Sequence, residues 1–225
     1  MEEKIKKQES YFNLDPWSAN YHGNEEFENI NNCKFNSIID KNLKHEGGYV
    51  NNKNDRGGET NYGITKIFME EYKQALPQGK TIPIKELTIN DAKSLYKALW
   101  DRYKLGHITD KNLAYVIFDY MINFHAHTVA KRIQGILNSR GASLKIDGFI
   151  GEKSLEAINN SNRKWLMDEI LKNRQHHYRK QVKGASTQLG FYAGWMNRLN
   201  KIAESVGSDI RFSTKFKKHL LIYEE

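Results

Sequence analysis

Glu46 and Asp55 are two carboxylates in contrasting surroundings within one glycine- and asparagine-rich stretch. Glu46 follows an apolar helical pattern and precedes Gly47-Gly48, so we expect it on the last turn of a helix. There the negative end of the helix dipole disfavours the ionised form, which makes Glu46 a candidate proton donor. Asp55 lies among polar residues that leave it ionised. One acid and one carboxylate on facing elements are what hydrolysis of a glycosidic bond requires.

The elements that must position these two residues follow from periodicity. An apolar helical face begins at Phe35 and continues through Leu43, so a helix is expected to run from Phe35 to Glu46. Residues 49–65 are rich in Asn, Asp and Gly, which predicts a small hairpin or an irregular two-stranded ribbon. The same residues, taken alone, also fit a glycine-rich loop after a capped helix, with two solvated acids.

Helical patterns return after residue 65 and persist. Helices are predicted over residues 66–76, 88–103, 110–123, 128–138, 152–159, 163–183 and 192–205. The segment 110–123 is apolar nearly all round, which is typical of a buried central helix. Thr88 and Asp91 have the spacing of a capping box. The expected fold class is therefore mainly α, with a small β-hairpin beside the active site.

The chain is expected to have four parts. They are a polar N-terminal arm (1–33), a catalytic lobe (34–105), a second helical lobe (106–205) and a C-terminal tail (206–225). The arm holds four spaced aromatic residues, and we expect it to be dispensable for chemistry while serving as a docking strip. The alternative is that these aromatics pack on the catalytic body and stabilise it.

The composition narrows the class of protein. The 225 residues include 39% hydrophobic residues, three prolines and one cysteine, which excludes collagenous, disulfide-stapled and wholly disordered proteins. The most apolar run, 113–124, is short and contains Asp119, so no stable membrane insertion is expected. The net charge of +8 favours anionic partners. The positively charged residues are scattered along the sequence. We expect no nucleic-acid partner, because the sequence lacks a basic helix, a basic arm and a stacking motif.

Four motifs carry a resemblance to a known family. The first motif has two parts, Glu-Gly-Gly-Tyr-Val at residues 46–50 and Asp-Arg-Gly-Gly-Glu-Thr-Asn-Tyr-Gly-Ile-Thr at residues 55–65. Further motifs are Phe-Asp-Tyr-Met-Ile-Asn at 118–123, with Gln134 downstream, Asp-Gly-Phe-Ile-Gly-Glu-Lys-Ser-Leu at 147–155 and Gly-Trp-Met-Asn-Arg at 194–198. Together they resemble glycoside hydrolase family 108, which comprises bacterial and phage N-acetylmuramidases that cleave peptidoglycan. The third motif resembles that family's peptidoglycan-binding corner.

This resemblance implies a lysozyme-like helical fold with Glu46 as the catalytic acid. The arrangement also looks like that of phage lysozymes of the glutamate–aspartate–threonine type, with Asp55 as the base. Thr60 comes one residue earlier than the threonine of that type, and Asn61 takes the matching position. Assistance to Asp55 from Thr60 or from Asn61 therefore stays open.

Aromatic and amide side chains that suit sugar binding lie near these motifs. The substrate-binding candidates are Tyr49, Asn61, Tyr62, Trp100, Tyr103, Asn123 and His125. Trp100 also continues the apolar face of its helix, for which packing in the core is the alternative. His125 and His127 stand where the family tends to carry glycine, and without an evident third ligand we expect no metal there.

The function expected from this resemblance is hydrolysis of the β-1,4 bond between N-acetylmuramic acid and N-acetylglucosamine, without metal or cofactor. Alternatives are a lytic transglycosylase and a non-catalytic peptidoglycan-binding protein. The expected partner is the glycan strand of peptidoglycan, bound by a monomer, with delivery machinery or an immunity protein left open. The first thirty residues lack the apolar stretch of a secretory signal peptide, so we expect a phage endolysin or an exported antibacterial lysin that reaches the wall after release or export.

Overall fold

The computed structural model describes residues 25–43, 48–51 and 58–216, which form a mainly helical fold with one small sheet. The helices in these ranges are α1 (Glu25–Leu43), α2 (Lys66–Tyr72), α3 (Ile89–Arg102), α4 (Lys111–Asn123), α5 (Ala126–Asn138), α6 (Glu152–Asn160), α7 (Arg163–Gly184) and α8 (Leu189–Ser205). The strands are β1 (Val50–Asn51), β2 (Glu59–Asn61) and β3 (Ile64–Thr65). The predicted fold class, mainly α with a small β element, is confirmed.

The three strands form an antiparallel sheet in the order β1-β2-β3, with Val50 opposite Thr60. The loop between β2 and β3 consists of Tyr62 and Gly63, which both have positive φ, 51° and 75°. A two-residue loop of this kind matches the right-handed twist of the strands that it joins. The sequence predicts a hairpin or a two-stranded ribbon here, and the structure adds a third strand because residues 59–65 fold back on themselves.

Helix α4 is the buried centre of the fold, as its sequence predicts. Its side chains from Leu113 to Met121 are buried apart from Tyr115. The ring of Phe118 packs edge to face against three other rings, with centroid distances of 5.5–6.2 Å; these belong to Phe35, Tyr96 and Trp100. The helix contacts α1, α5 and α7. Within the described ranges, no helix combines the length and apolarity needed to cross a membrane.

Side-chain caps set several helix boundaries. The predicted capping box begins α3, where Thr88 Oγ1 accepts from the Asp91 amide at 3.2 Å and Asp91 Oδ2 accepts from the Thr88 amide at 2.9 Å. Asp110 caps α4 and Asn162 caps α7 with a single hydrogen bond each, in which the side-chain oxygen accepts from the amide three residues later. These caps explain why the predicted starts of α3, α4 and α7 agree closely with the structure.

Helix α1 begins at Glu25, well before the start at Phe35 that its apolar pattern predicts. That predicted start is wrong because polar side chains make the earlier contacts. Asn31 Oδ1 accepts a hydrogen bond of 2.7 Å from Nε1 of Trp100. Lys34 Nζ donates to backbone carbonyls after α3 at 2.8 and 3.0 Å, and burial lowers its pKa to about 8.

Residues 25–33 therefore contribute to the packed body. Phe27 is 7% exposed and its ring lies 4.6 Å from that of His107. The division of the chain into an arm, two lobes and a tail stays a prediction, and residues 1–24 lie outside the described residues.

We expect a chain that begins at Lys34 to melt about 5–15 °C below a chain that begins at Glu25. The shorter chain loses the burial of Phe27 and leaves Nε1 of Trp100 without its partner, together worth about 2–4 kcal/mol. Thermal unfolding followed by circular dichroism measures the difference. Asn31→Ala in the longer chain isolates the hydrogen bond, and equal melting temperatures for the two chains would contradict the packing of this segment.

Candidate functional site

The two predicted catalytic carboxylates, Glu46 and Asp55, lie outside the described residues, in the segments 44–47 and 52–57. The described chain flanks both segments. Helix α1 is described as far as Leu43, and the strands β1 and β2 stand on either side of the segment that contains Asp55. The acid and base roles of these residues stay predictions.

Thr60 and Asn61 are neighbours on β2, so their side chains lie on opposite faces of the sheet. Asn61 is 6% exposed, and its Nδ2 donates to the carbonyl oxygens of Ile84 at 3.1 Å and Leu87 at 3.2 Å. Asn61 therefore anchors the sheet to the chain before α3. Both printed hydrogen bonds use Nδ2, and the side chain is buried, which argues against a contact between Asn61 and sugar. Assistance to Asp55 stays a prediction for Thr60, which is half-buried, and for Asn61 alike.

Tyr49 and Tyr62 both lie at the sheet. Tyr49 is 48% exposed, and its hydroxyl lies 3.5 Å from Nδ2 of Asn51. Tyr62 is half-buried in the two-residue loop, where its carbonyl accepts a hydrogen bond of 3.0 Å from the hydroxyl of Tyr96 on α3. A tyrosine at a wet surface has an apolar ring face and a polar tip, which suits a sugar ring. Both tyrosines remain candidates.

Trp100 and Tyr103 lie in the core, 0% and 1% exposed. The prediction that they bind sugar is wrong, because stacking on a pyranose needs an exposed ring face. Burial also raises the pKa of the Tyr103 hydroxyl. For Trp100 the alternative reading of core packing is correct.

The junction between α4 and α5 carries Asn123 and His125, both exposed. Nδ2 of Asn123 donates to the carbonyl of Asp119 one turn earlier, at 2.8 Å. Nε2 of His125 lies 3.9 Å from a carboxylate oxygen of Glu71. Both residues remain candidates for substrate contacts. Among the described residues, no group of three or more His, Cys, Asp or Glu side chains gathers to hold a metal ion.

Asp119 is a buried carboxylate at the centre of the molecule. Each of its oxygens accepts from a different guanidinium group, Oδ2 from Arg174 and Oδ1 from Arg198 at 2.7 Å. Burial alone would raise the pKa of Asp119, but the two arginines outweigh it and hold the pKa below its ordinary value. The carboxylate is therefore ionised at neutral pH, and this ion cluster ties α4 to α7 and α8.

A cavity of about 500 Å³ opens beside the ion cluster, next to the last turn of α1. Its lining includes Asn42, Tyr115, Arg198 and Lys201. Burial raises the pKa of Tyr115 to about 12, so its hydroxyl stays protonated at neutral pH. Sequence reasoning missed this cavity because its lining comes from three helices that are far apart in the chain. The one sequence feature that pointed to this region was Asp119, a charged residue within an apolar run.

Gln134 on α5 holds the corner 147–151 in place. It is 2% exposed, and its Nε2 donates to Asp147 Oδ1 and to the carbonyl of Phe149, both at 2.9 Å. Its Oε1 accepts from the amide of Gly148 at 2.9 Å. The hydrogen bond from Gln134 and that from the Phe149 amide lower the pKa of Asp147. Gln134 and the corner are thus one hydrogen-bonded unit.

Comparisons with known proteins agree with this arrangement. Residues 39–124 match the family described as Glycosyl hydrolase 108, and residues 128–200 match the family described as Predicted Peptidoglycan domain. Among solved structures, SagA of Brucella abortus is similar, with a TM-score of 0.65 and 23% sequence identity over 82% of this chain and 99% of that chain. The comparison with curated proteins gives no match.

The helical body with its small sheet is consistent with a lysozyme-like fold. Residues 39–124, which are similar to the Glycosyl hydrolase 108 family, precede residues 128–200, which are similar to the peptidoglycan domain family. We refer to these two matched ranges as the hydrolase domain and the peptidoglycan-binding-like domain. The ion cluster crosses from one domain to the other, since Asp119 lies in the first match and both arginines lie in the second.

We expect Gly148→Ala to lower the free energy of unfolding by about 1–3 kcal/mol, because L side chains avoid positive φ and tight contacts. Gly148 has a φ of 82°, and a Cβ there would lie 2.4 Å from the ring of His127. Gly151→Ala is the matched control, since its φ is −90° and a Cβ there meets nothing within 4 Å. Denaturant unfolding measures both variants.

Adding His127→Ala to Gly148→Ala should restore part of the loss, because it removes the clash but not the strained φ. Equal stability of the Gly148→Ala and Gly151→Ala variants would show that the corner tolerates a side chain.

Proposed function

We propose that the protein is a peptidoglycan hydrolase of the N-acetylmuramidase type, which cleaves the β-1,4 bond between N-acetylmuramic acid and N-acetylglucosamine. The observation that carries this proposal is the glycosyl hydrolase 108 match over residues 39–124, which spans Glu46 and Asp55. The match of residues 128–200 to a peptidoglycan domain supports the same polymer as substrate. A net charge of +8 suits an anionic cell wall.

In this proposal Glu46 donates its proton to the glycosidic oxygen as the bond from that oxygen to C1 breaks. Asp55 takes a proton from a water molecule, whose oxygen bonds to C1 from the opposite face of the sugar. Thr60 assists by a hydrogen bond to that water, from the face of β2 opposite to Asn61. The configuration at C1 is inverted, and both carboxyl groups regain their starting protonation by exchange with solvent.

Substrate contacts are assigned to the side chains that the structure leaves available. Tyr49 and Tyr62 offer rings at the sheet, and Asn123 and His125 offer polar groups at the junction between α4 and α5. The role that fits this activity is lysis of a bacterial wall by a monomeric phage endolysin or an exported antibacterial lysin.

We expect digestion of purified peptidoglycan to release muropeptides with ordinary reducing N-acetylmuramic acid ends. Mass spectrometry detects these products, and NMR of fresh digests should show the α-anomer first because an inverting enzyme acts on a β bond. Products ending in 1,6-anhydro-muramic acid would replace this proposal by a lytic transglycosylase. Binding to the wall without any release would indicate a non-catalytic protein.

Glu46→Gln should reduce cleavage of peptidoglycan by at least about 10²-fold, because loss of a general acid typically costs about 10²–10⁴-fold. The melting temperature should stay within about 2 °C of the parent, since the substitution keeps the size and shape of the side chain. Glu86→Gln, the same change at an exposed glutamate outside the predicted site, is the matched control and should keep full activity. More than about a hundredth of the activity left in Glu46→Gln would exclude it as the acid.

A further inference from the structure

A groove in the peptidoglycan-binding-like domain is lined by charged, polar and aromatic side chains. It is a cavity of about 660 Å³ between the end of α5, helix α6 and the start of α7. The lining residues that matter for its chemistry are Arg140, Ser143, Lys153, Glu156, Asn160 and Trp165. This volume is typical of sites for small ligands or a few residues of peptide. We propose that it binds the peptide chains of peptidoglycan through their carboxylates.

One wall of the groove is a loop with a fixed conformation. The side chain of Asn138 makes two hydrogen bonds with the backbone of Leu144. Nδ2 of Asn138 donates to the Leu144 carbonyl at 2.8 Å, and the backbone N–H of Leu144 donates to Oδ1 of Asn138 at 2.6 Å. Between them, Ser143 has a φ of 53°, a left-handed backbone that is uncommon for serine. Such a conformation persists only where the surroundings hold it. The wall is therefore formed before any ligand arrives.

Arg140 is the residue best placed to recognise a carboxylate. Its guanidinium group lies 4.5 Å over the ring of Trp165. This cation–π contact holds the guanidinium group at the groove and uses the face of the ring rather than an N–H acceptor, and a guanidinium fork matches a carboxylate in a two-pronged hydrogen bond. Among the described residues, Arg140 takes part in no salt bridge, so its charge is available to a ligand.

Lys153 and Glu156 add one further charge of each sign. They lie three residues apart on α6, a spacing at which opposite charges often pair, yet neither forms a salt bridge with a described residue. By contrast, Lys172 on α7 pairs with Glu169 at the same spacing. The groove thus offers two cations and one carboxylate that other described side chains do not satisfy.

This set of charges is complementary to one part of peptidoglycan. The peptide chains carry free carboxylates and, before cross-linking, a free amino group on their diamino acid. The sugar rings of the glycan strand carry no charge once the peptide occupies the lactyl carboxyl. The groove therefore matches the peptide, whereas the glycan is assigned to the hydrolase domain. The inference takes the polymer from the proposed function but does not depend on its cleavage.

The test is a titration of the wild-type full chain with soluble N-acetylmuramyl pentapeptide, which contains no glycosidic bond between sugars and cannot be cleaved. We expect saturable binding by calorimetry, with NMR shifts at the indole of Trp165 and the amide of Ser143. Arg140→Gln should weaken binding about tenfold or more, and Arg140→Lys should weaken it less because the charge remains. Lys131→Gln, an exposed cation on α5 outside the groove, should leave binding unchanged.

Several results would overturn the inference. They are equal binding of a neutral chitotetraose in the groove, shifts confined to the hydrolase domain, or unchanged affinity in Arg140→Gln. Tighter binding of polyglycerol phosphate than of the peptide at these residues would assign the groove to wall phosphates instead. A failure to cleave peptidoglycan would remove the proposed function and leave the result of this titration standing.

Discussion

The buried pairing of Asp119 with Arg174 and Arg198 is the interaction on which the arrangement of both domains depends. The side chains of Asp119 and Arg174 are each 1% exposed, and burying an ion costs several kcal/mol unless its partners are all present. The lowered pKa means that this contribution to stability is present above the unfolded value of an aspartate. It is lost as the pH falls through the folded value. Because α4 contributes the anion and α7 and α8 the cations, neither domain completes the cluster alone.

The same cluster explains the residue types of motifs that lie far along the chain from the predicted catalytic residues. Arg198 and Trp195 come from one motif, and both act at this joint. Arg198 binds Asp119, while the ring of Trp195 stacks at 4.8 Å on Tyr178, whose hydroxyl accepts from Arg174. The glutamine-held corner at 147–151 is a second joint, within the peptidoglycan-binding-like domain. The proposed chemistry is assigned to the first motif, and the side chains of the later motifs described here hold the scaffold together.

Sequence patterns predicted the helices well where burial is apolar and caps are local, as in α3, α4 and α7. They failed where a polar side chain makes the decisive contact. Contacts of Asn31 and Lys34 extend α1 towards the N-terminus, beyond the start that apolar periodicity predicts. The side chain of Asn61 donates to backbone carbonyls and so anchors the sheet. The sequence patterns also gave no sign of the groove at Arg140, because a loop and three helices build it and its cation–π contact joins residues distant in the chain. Trp100 failed for a different reason. Tryptophan suits both a hydrophobic core and a sugar-binding site, so its residue type alone did not decide between the two.

The position of the groove bears on what kind of substrate the protein suits. Helix α5 begins at the junction that carries His125 and ends at the wall of the groove, and its 13 residues span about 20 Å at 1.5 Å per residue. A single sugar is too short to reach both ends of such a helix. Under the two proposals made above, the glycan of a branched polymer contacts the junction and a peptide branch occupies the groove. The two contact regions lie at opposite ends of one helix, so the length of α5 sets their separation. Taken together, the two proposals therefore favour the branched wall polymer over its soluble fragments.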